Sequence, residues 1–163
     1  MRKKWLYGLF MPLVLLLLVA CGTLTTPENL NESDSSESET FDTQLVEGEF
    51  YSQPQDVVDY LDTFGELPLN YLTKKEAREM GWVASEGNLW DVAPDAVIGG
   101  DTFGNFEGLL PKAEGRRYFE ADVNYEGGHR NAERLVFSND DLYFYTDDHY
   151  ESFVEMEPGG ELE

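Results

Sequence analysis

The sequence predicts an α+β domain in which N-terminal helices pack on an antiparallel sheet of roughly five strands. Apolar residues recur at helical spacing after Pro54, whereas beyond Val97 short runs of alternating apolar and polar residues are separated by Gly-rich turns. Helices followed by a meander of strands are typical of α+β folds. The 163 residues contain one apolar block large enough for a core, so we expect one folded domain over residues 50–156.

The first twenty residues are typical of an export signal. Three basic residues at 2–4 precede an apolar run at 6–19, which is short for a membrane-spanning helix. Residues 18–22 read Leu-Val-Ala-Cys-Gly and resemble the bacterial lipobox, which implies cleavage before Cys21 and a lipid on its sulfur. We expect an extracytoplasmic protein, anchored to the cell membrane or released; an ordinary signal peptide and an uncleaved helix are the alternatives.

Two acidic segments flank the expected domain. Residues 21–49 are rich in Ser, Thr, Asn, Asp and Glu, and too poor in apolar residues to offset the entropy of ordering them. They are expected to form a flexible tether, and residues 157–163 to fray. Because Cys21 is the only cysteine, no intramolecular disulfide is possible, and the domain must rely on its apolar core.

The first predicted helix follows Pro54 and stops at Gly65. Its apolar positions are Val57, Val58, Leu61 and Phe64.

A capping box predicts the second helix, since Thr73 is followed three residues later by Glu76. The helix is expected over Lys74 to Met80, ending at Gly81. Lys74 then lies in the first turn, where a cation opposes the helix dipole. The stability of the helix therefore does not explain a lysine at this position, whereas binding of an anion would.

Alternation between Tyr118 and Val123 predicts a half-buried strand with Glu120 on its polar face. Later strands are expected at Leu135 and Phe137, over 142–148, and near Phe153.

The charge of the chain argues against a protein that binds nucleic acid. The formal net charge is −22, and cleavage before Cys21 would leave 8 Lys and Arg against 33 Asp and Glu, or −25. Nucleic-acid-binding proteins usually present a basic face. A high-salt habitat is one hypothesis for the surplus of acidic residues. At 1 M salt the Debye length falls to about 3 Å, so long-range repulsion between the chain and RNA is largely screened.

Five residues have the chemistry that metal-free RNA cleavage requires: a base, an acid and cations around the phosphate. They are Lys74, Glu120, Arg130, Arg134 and His149. Each also has an ordinary structural explanation, such as helix surface, solvated strand, carboxylate partner or strand-end cap. The acidic cluster at 140–149 lacks the spacing of a calcium loop, so neither a metal nor a cofactor is expected.

Several segments of the chain, in the same order, resemble the family of guanyl-preferring ribonucleases that includes barnase and binase. The resemblance runs from about Asp56 to Phe153. The segments are 67–74, 81–89, 91–94, 98–101, 120–125 and 148–150.

The resemblance implies a fold, a reaction and a set of residue roles. Glu120 matches the general base and His149 the general acid, while Lys74, Arg130 and Arg134 match the groups that hold the phosphate. The expected reaction is cleavage of RNA after guanosine to a 2′,3′-cyclic phosphate that is later hydrolysed. DNA is not an expected substrate, because it lacks the 2′-hydroxyl nucleophile. The positions that match the guanine site are Phe103, Asn105, Phe106, Glu107 and Tyr150.

Four positions depart from the family pattern and remove positive charge or aromatic character around the site. Phe106 replaces an arginine, His129 an aromatic residue, and Leu109 and Ala113 lysines. We expect slower association with RNA and a higher KM. A barstar-like inhibitor is not a favoured partner, because the lost arginine matters to that inhibitor.

The main alternative to an enzyme is a non-catalytic surface lipoprotein that uses the ribonuclease fold as a binding module. The retained catalytic positions favour the enzyme. Toxin and nutrient-scavenging roles would use the same chemistry and are not distinguished by the sequence. We expect a monomer.

Overall fold

The computed structural model of the protein describes residues 45–160. The expected signal peptide, Cys21 and the tether as far as residue 44 lie outside these residues, as do 161–163. Among the described residues, no helix has the length and apolar character needed to cross a membrane.

Three helices and six strands form the domain, and the predicted α+β class is confirmed. In chain order the elements are α1 Pro54–Phe64, β1 Tyr71–Leu72, α2 Lys74–Glu79, α3 Leu89–Val92, β2 Val97–Phe103, β3 Tyr118–Asp122, β4 Arg134–Ser138, β5 Tyr143–Thr146 and β6 Val154–Met156. The strands lie in sequence order in one sheet. Strands β2 to β6 are antiparallel, which agrees with the expected five, and β1 adds a short parallel edge beside β2.

Helix α1 lies where the first helix is predicted, and it includes Pro54. Pro54 lies in its first turn, and Gly65 ends it in the left-handed conformation, donating its N–H to the carbonyl of Leu61 at 2.8 Å. Val57 and Val58 are fully buried and pack, with Leu61, against one face of the sheet. Burying a side chain of this size contributes roughly 1.5–3 kcal/mol.

Helix α2 begins with the predicted capping box. The Thr73 hydroxyl accepts the backbone N–H of Glu76, and the Glu76 carboxylate accepts the backbone N–H of Thr73 at 2.9 Å. The helix ends at Glu79, with Met80 as its C-cap, one residue before the predicted end.

Both faces of the central strands are covered, which corrects the expectation of a half-exposed strand at 118–123. Val123 and Leu135 lie in the core under α1, and Ala121, directly opposite Leu135 in the strand register, is also fully buried. On the opposite face, Glu120 pairs with Val136 in the strand register. Loop residues such as Leu110 join Val136 in a second apolar cluster on that face. Glu120 is consequently only 9% exposed, because loops remote in sequence cover the face that alternation marks as polar.

The folded part extends beyond both expected boundaries. The N–H groups of Val46 and Gly48 donate to the hydroxyls of Tyr51 and Tyr60 at 2.9 and 3.0 Å, so the end of the predicted tether contacts the domain.

At the other end, residues 157–160, which are expected to fray, contact α1. The Gln55 side chain donates to the Glu157 carbonyl at 3.0 Å, and the N–H of Gly159 donates to Asp59 at 2.7 Å. Short polar contacts with α1 therefore hold a segment whose composition alone indicates disorder.

Candidate active site

Glu120 lies at the centre of a hydrogen-bonded group formed by three separate elements. One carboxylate oxygen, Oε1, accepts from the Nζ of Lys74 in α2. The other, Oε2, accepts from the hydroxyl of Tyr150, in the loop after β5, at 2.6 Å. We call Lys74, Glu120 and Tyr150 the Glu120 cluster.

The start of α2 explains how Lys74 reaches the sheet. Thr73 is the N-cap, so Lys74 is the first helical residue, and its backbone N–H donates to Asp101 Oδ2 at 2.8 Å. Asp101 lies on β2 beside a register shift between Gly99 and Asp101. Irregularities of this kind often redirect a side chain next to a functional site. The β2 irregularity and the helix cap together place the ammonium group against Glu120.

Opposing effects act on the pKa of Glu120. Burial favours the neutral acid and would raise the pKa, but the hydrogen bonds from Lys74 and Tyr150, with the charges of Lys74 and Arg130, outweigh burial. The pKa is therefore held below its ordinary value. Glu120 is an ionised carboxylate at neutral pH although it is largely removed from water.

A second charged group lies two residues further along the same face of β3. Asp122 is 1% exposed and receives two hydrogen bonds from Arg130, at 2.5 and 2.6 Å. The Nε of Arg134 lies 2.9 Å from Asp122 Oδ1, although its N–H is not aligned for a hydrogen bond. Arg134 is directly opposite Asp122 in the β3–β4 register. We call Asp122, Arg130 and Arg134 the arginine cluster.

The two arginines differ in how far they reach solvent. The Arg130 side chain is 22% exposed, whereas that of Arg134 is 2% exposed. Burial would lower the pKa of Arg130, but the bond to Asp122 raises it, so Arg130 keeps its charge. Arg130 is thus the more accessible cation for a ligand.

His149 and Tyr150 occupy a turn that few non-glycine residues adopt. Their φ angles are 64° and 74°, both in the left-handed region. His149 is exposed, and its ring lies 5.3 Å from that of Tyr150 between centroids. The pKa of Tyr150 is raised by burial and by its bond to Glu120, so its hydroxyl remains a proton donor in that bond.

In the loop predicted to bind guanine, the side chain of Asn105 bonds to the backbone of Leu110 and so bridges the loop. The Asn105 amide donates to the Leu110 carbonyl at 3.0 Å and accepts the Leu110 N–H at 3.1 Å. The side chain of Asn105 therefore shapes the loop. Phe106 is 90% exposed, and Glu107 is also exposed.

Phe103, at the start of this loop, contacts the Glu120 cluster. Its ring is stacked on that of Tyr150, with centroids 5.3 Å apart and an interplanar angle of 30°. An open cavity of about 510 Å³ adjoins the loop on the side of Lys112 and Arg116. The loop is thus joined to the charged site through the pair of aromatic rings.

The structure brings together most of the residues that the sequence predicts for the site. Lys74 and Tyr150 contact Glu120, Phe103 and His149 adjoin Tyr150, and Arg130 and Arg134 flank Asp122. Asn105, Phe106 and Glu107 lie on the adjoining loop. The catalytic and binding roles of these residues stay predictions.

Sequence reasoning missed the carboxylates that hold the site in place, Asp101, Asp122 and Asp148. For Asp122 a signal exists, because period-two alternation puts it on the same strand face as Glu120. Asp148 and Asp101 depend on loop and bulge geometry that no local pattern reveals.

Comparisons with known proteins agree with this arrangement. A family model described as ribonuclease matches residues 54–157, which is more than half of the chain. A ribonuclease of Heyndrickxia coagulans is 55% identical over 100 residues, covering 61% of this chain and 92% of that protein. A ribonuclease of Bacillus intermedius has the same identity over 100 residues but is covered over 62% of its length.

A more distant relative is the guanyl-specific ribonuclease St of Saccharopolyspora erythraea, 46% identical over 55 residues, or 33% of this chain and 54% of that protein. The matched region of the family model includes every element from α1 to β6 and all residues of both clusters. The chain therefore belongs to the ribonuclease family and is an enzyme that cleaves RNA.

Proposed function

We propose that this ribonuclease cleaves single-stranded RNA on the 3′ side of guanosine, without a metal, by transphosphorylation to a 2′,3′-cyclic phosphate that water then hydrolyses. The observation that carries the proposal is the ionised Glu120 carboxylate, held between Lys74 and Tyr150 beside the arginine cluster. RNA supplies its own nucleophile, the 2′-hydroxyl, so the enzyme needs to move protons and stabilise charge.

Glu120 is the general base in this proposal. Its pKa lies below the ordinary value, so at neutral pH it is ionised, which is the form that a base requires. Each of its oxygens already accepts one hydrogen bond, but a carboxylate oxygen has two lone pairs, so one remains for the 2′-hydroxyl. The deprotonated 2′-oxygen then attacks phosphorus.

His149 is the general acid, which protonates the 5′-oxygen as its bond to phosphorus breaks. A histidine can exchange a proton near neutral pH, and this one is exposed to incoming substrate. In the second step the roles reverse, since His149 removes a proton from water and Glu120 returns one to the 2′-oxygen.

Lys74 and Arg130 stabilise the charge that develops on the phosphate. Both are partly accessible, at 28% and 22% of the side chain. Arg134 is too enclosed to be the main contact, and in this proposal it acts through its field and by holding Asp122. Besides Tyr150, the two clusters contain three cations and two carboxylates, so they carry a surplus of one positive charge. The site thus offers RNA a local attraction that the net charge of the chain does not.

Guanine is the proposed base on the 5′ side of the cleaved bond. The guanyl specificity in the name of the Saccharopolyspora erythraea relative supports this choice, as does the shape of the 103–110 loop, closed by Asn105. Glu107 is exposed and available to accept hydrogen bonds from the edge of the base. Phe103 and Phe106 provide aromatic surface, and stacking on such a surface contributes about 1–3 kcal/mol per base.

The cellular location is also a proposal, and it rests on residues outside the described part. The apolar run and the lipobox-like segment ending at Cys21–Gly22 support export and lipid anchoring at the outer side of the cell membrane. Replacing Cys21 with Ala should abolish incorporation of a metabolic fatty-acid label and release the protein from membranes. Unchanged labelling and membrane association would contradict the anchor.

The reaction is tested by incubating the purified protein with the dinucleotides GpC and ApC in the presence of EDTA. The proposal predicts early appearance of guanosine 2′,3′-cyclic phosphate, a later 3′-phosphate, and much slower cleavage of ApC. A 5′-phosphate product, or cleavage that stops in EDTA, would contradict the mechanism. Equal rates for the two dinucleotides would contradict only the guanine preference.

A further inference from the structure

Asp148 lies immediately before His149 and accepts four hydrogen bonds, one from the end of β5 and three from the loop that follows it. Its Oδ1 accepts the hydroxyl of Thr146 at 2.8 Å and the N–H groups of Glu151 and Ser152, each at 3.0 Å. Its Oδ2 accepts the Ser152 hydroxyl at 2.6 Å. The carboxylate thus ties the end of β5 to the chain beyond the active-site pair.

Thr146 completes the same network from the last position of β5. It is 2% exposed, and its Oγ1 accepts the N–H of Tyr150 at 3.1 Å while donating to Asp148. One hydroxyl therefore connects the carboxylate with the backbone of the residue that binds Glu120.

This network spans the only place where two consecutive non-glycine residues have positive φ among the described residues 45–160. Left-handed backbone at residues such as His149 and Tyr150 is unfavourable by itself and persists where surrounding contacts determine it. In a strand, the side chains of consecutive residues point to opposite faces. In this turn the rings of His149 and Tyr150 lie side by side instead, with centroids 5.3 Å apart.

We infer that Asp148 is a positioning residue that, through the turn, sets the place from which His149 protonates the leaving group. The inference rests on the proposed role of His149 as general acid. Asp148 does not touch the substrate in this assignment; it acts by holding the backbone at 149 and 150.

The chemistry of the leaving group offers a test that a purely structural role would not pass. The 5′-oxygen of GpC is a poor leaving group and needs a proton, whereas 4-nitrophenolate leaves without one. Asp148→Ala should lower kcat for GpC on the order of 10–100-fold, the usual scale for a displaced catalytic group, with little change in KM. For guanosine 3′-(4-nitrophenyl phosphate) the same variant should stay close to the wild type.

Two matched variants control the experiment. Asp147→Ala changes the adjacent exposed carboxylate, which has no hydrogen bond within residues 45–160, and should leave the rates with both substrates unaffected. Asp148→Asn keeps an oxygen able to occupy the place of Oδ1, so it should restore much of the lost rate.

If Asp148→Ala fails to fold, Thr146 supplies the second test. Thr146→Val removes the hydroxyl and should reproduce the selective loss with GpC, while Thr146→Ser keeps the hydroxyl and should not. Wild-type rates in Asp148→Ala or Thr146→Val, or equal losses on both substrates, would overturn the inference. A wild-type protein that forms no cyclic product from either substrate would instead overturn the proposed function.

Discussion

The hydroxyl of Tyr150 donates to Oε2 of Glu120 at 2.6 Å, across 30 residues of sequence. The bond couples the aromatic wall of the site, where Tyr150 stacks on Phe103, to the proposed base. It also withdraws basicity from Glu120, since a donor bound to the carboxylate stabilises the ionised form. The resemblance to the family implies only that Tyr150 lies beside the bound guanine, so its bond to Glu120 is a finding of the structure.

Removal of the Tyr150 hydroxyl should therefore move the pH profile. In Tyr150→Phe the pKa of Glu120 rises towards its ordinary value, and the base is protonated at a higher pH than in the wild type. The acidic limb of kcat/KM against pH should shift to higher pH, as measured with GpC. Tyr145→Phe is the matched control, because its hydroxyl binds Glu133 and not Glu120. An unchanged limb in Tyr150→Phe would show that the bond does not tune the base.

Asp122 should be far more important for stability than an exposed carboxylate. Its side chain is 1% exposed between Arg130 and Arg134, and loss of one partner from a buried ion pair typically costs about 3–5 kcal/mol. Asp122→Ala should lower the free energy of unfolding by roughly that amount in urea denaturation. Glu79→Ala removes an exposed carboxylate that faces Lys75 at 3.8 Å and should have little effect. Equal losses in the two variants would contradict the importance assigned to the arginine cluster.

Asn105 should affect substrate binding more than turnover. Asn105→Ala removes both bonds to Leu110, so the 105–110 loop loses the closure that shapes it. KM for GpC should rise, and the preference for GpC over ApC should narrow, while kcat at saturation changes little. Asn139→Ala is the control, since Asn139 also joins two backbone segments, at Arg117 and Gly115. A fall in kcat with unchanged KM would place Asn105 in the chemical step instead.

The Asp148 network predicts a stability change in acid. Hydrogen bonds from Ser152 and Thr146 lower the pKa of Asp148 from an ordinary 3.8 to about 2. Because the folded-state pKa is depressed, the stabilisation is fully present above the unfolded-state pKa and is lost as the pH falls through the folded-state pKa. The difference in unfolding free energy between wild type and Asp148→Asn should be constant above pH 5 and shrink between about pH 4 and pH 2. A difference that stays constant down to pH 2 would contradict the shift.

Much of the fold could be predicted because its signals are local. The Thr73–Glu76 capping box lies within one turn, Pro54 and Gly65 mark the ends of α1, and alternation identifies β3. The burial of Glu120 could not be predicted in this way. It depends on Lys74 and Tyr150, which approach β3 from segments remote in sequence.

The same distinction applies to the site. Glu120, Lys74, Arg130, Arg134 and His149 could be predicted from residue type and family resemblance. Alternation could place Asp122 on the strand face of Glu120, but its pairing with Arg134 depends on strand register. Asp148 could not be predicted, because it meets Ser152 through a turn with two left-handed residues. Strand register and backbone conformation at loops are set by the packed domain, not by the local sequence.

The most direct test of the proposed mechanism is the kcat of Glu120→Gln with GpC, measured beside the wild type at neutral pH. Gln keeps the shape of the side chain and an oxygen for the Tyr150 hydroxyl, but it does not act as a base. The proposal predicts a loss of kcat on the order of 10²–10⁴-fold with an unchanged circular dichroism spectrum. A folded Glu120→Gln protein that turns over GpC at the wild-type rate would contradict the assignment of Glu120 as the general base.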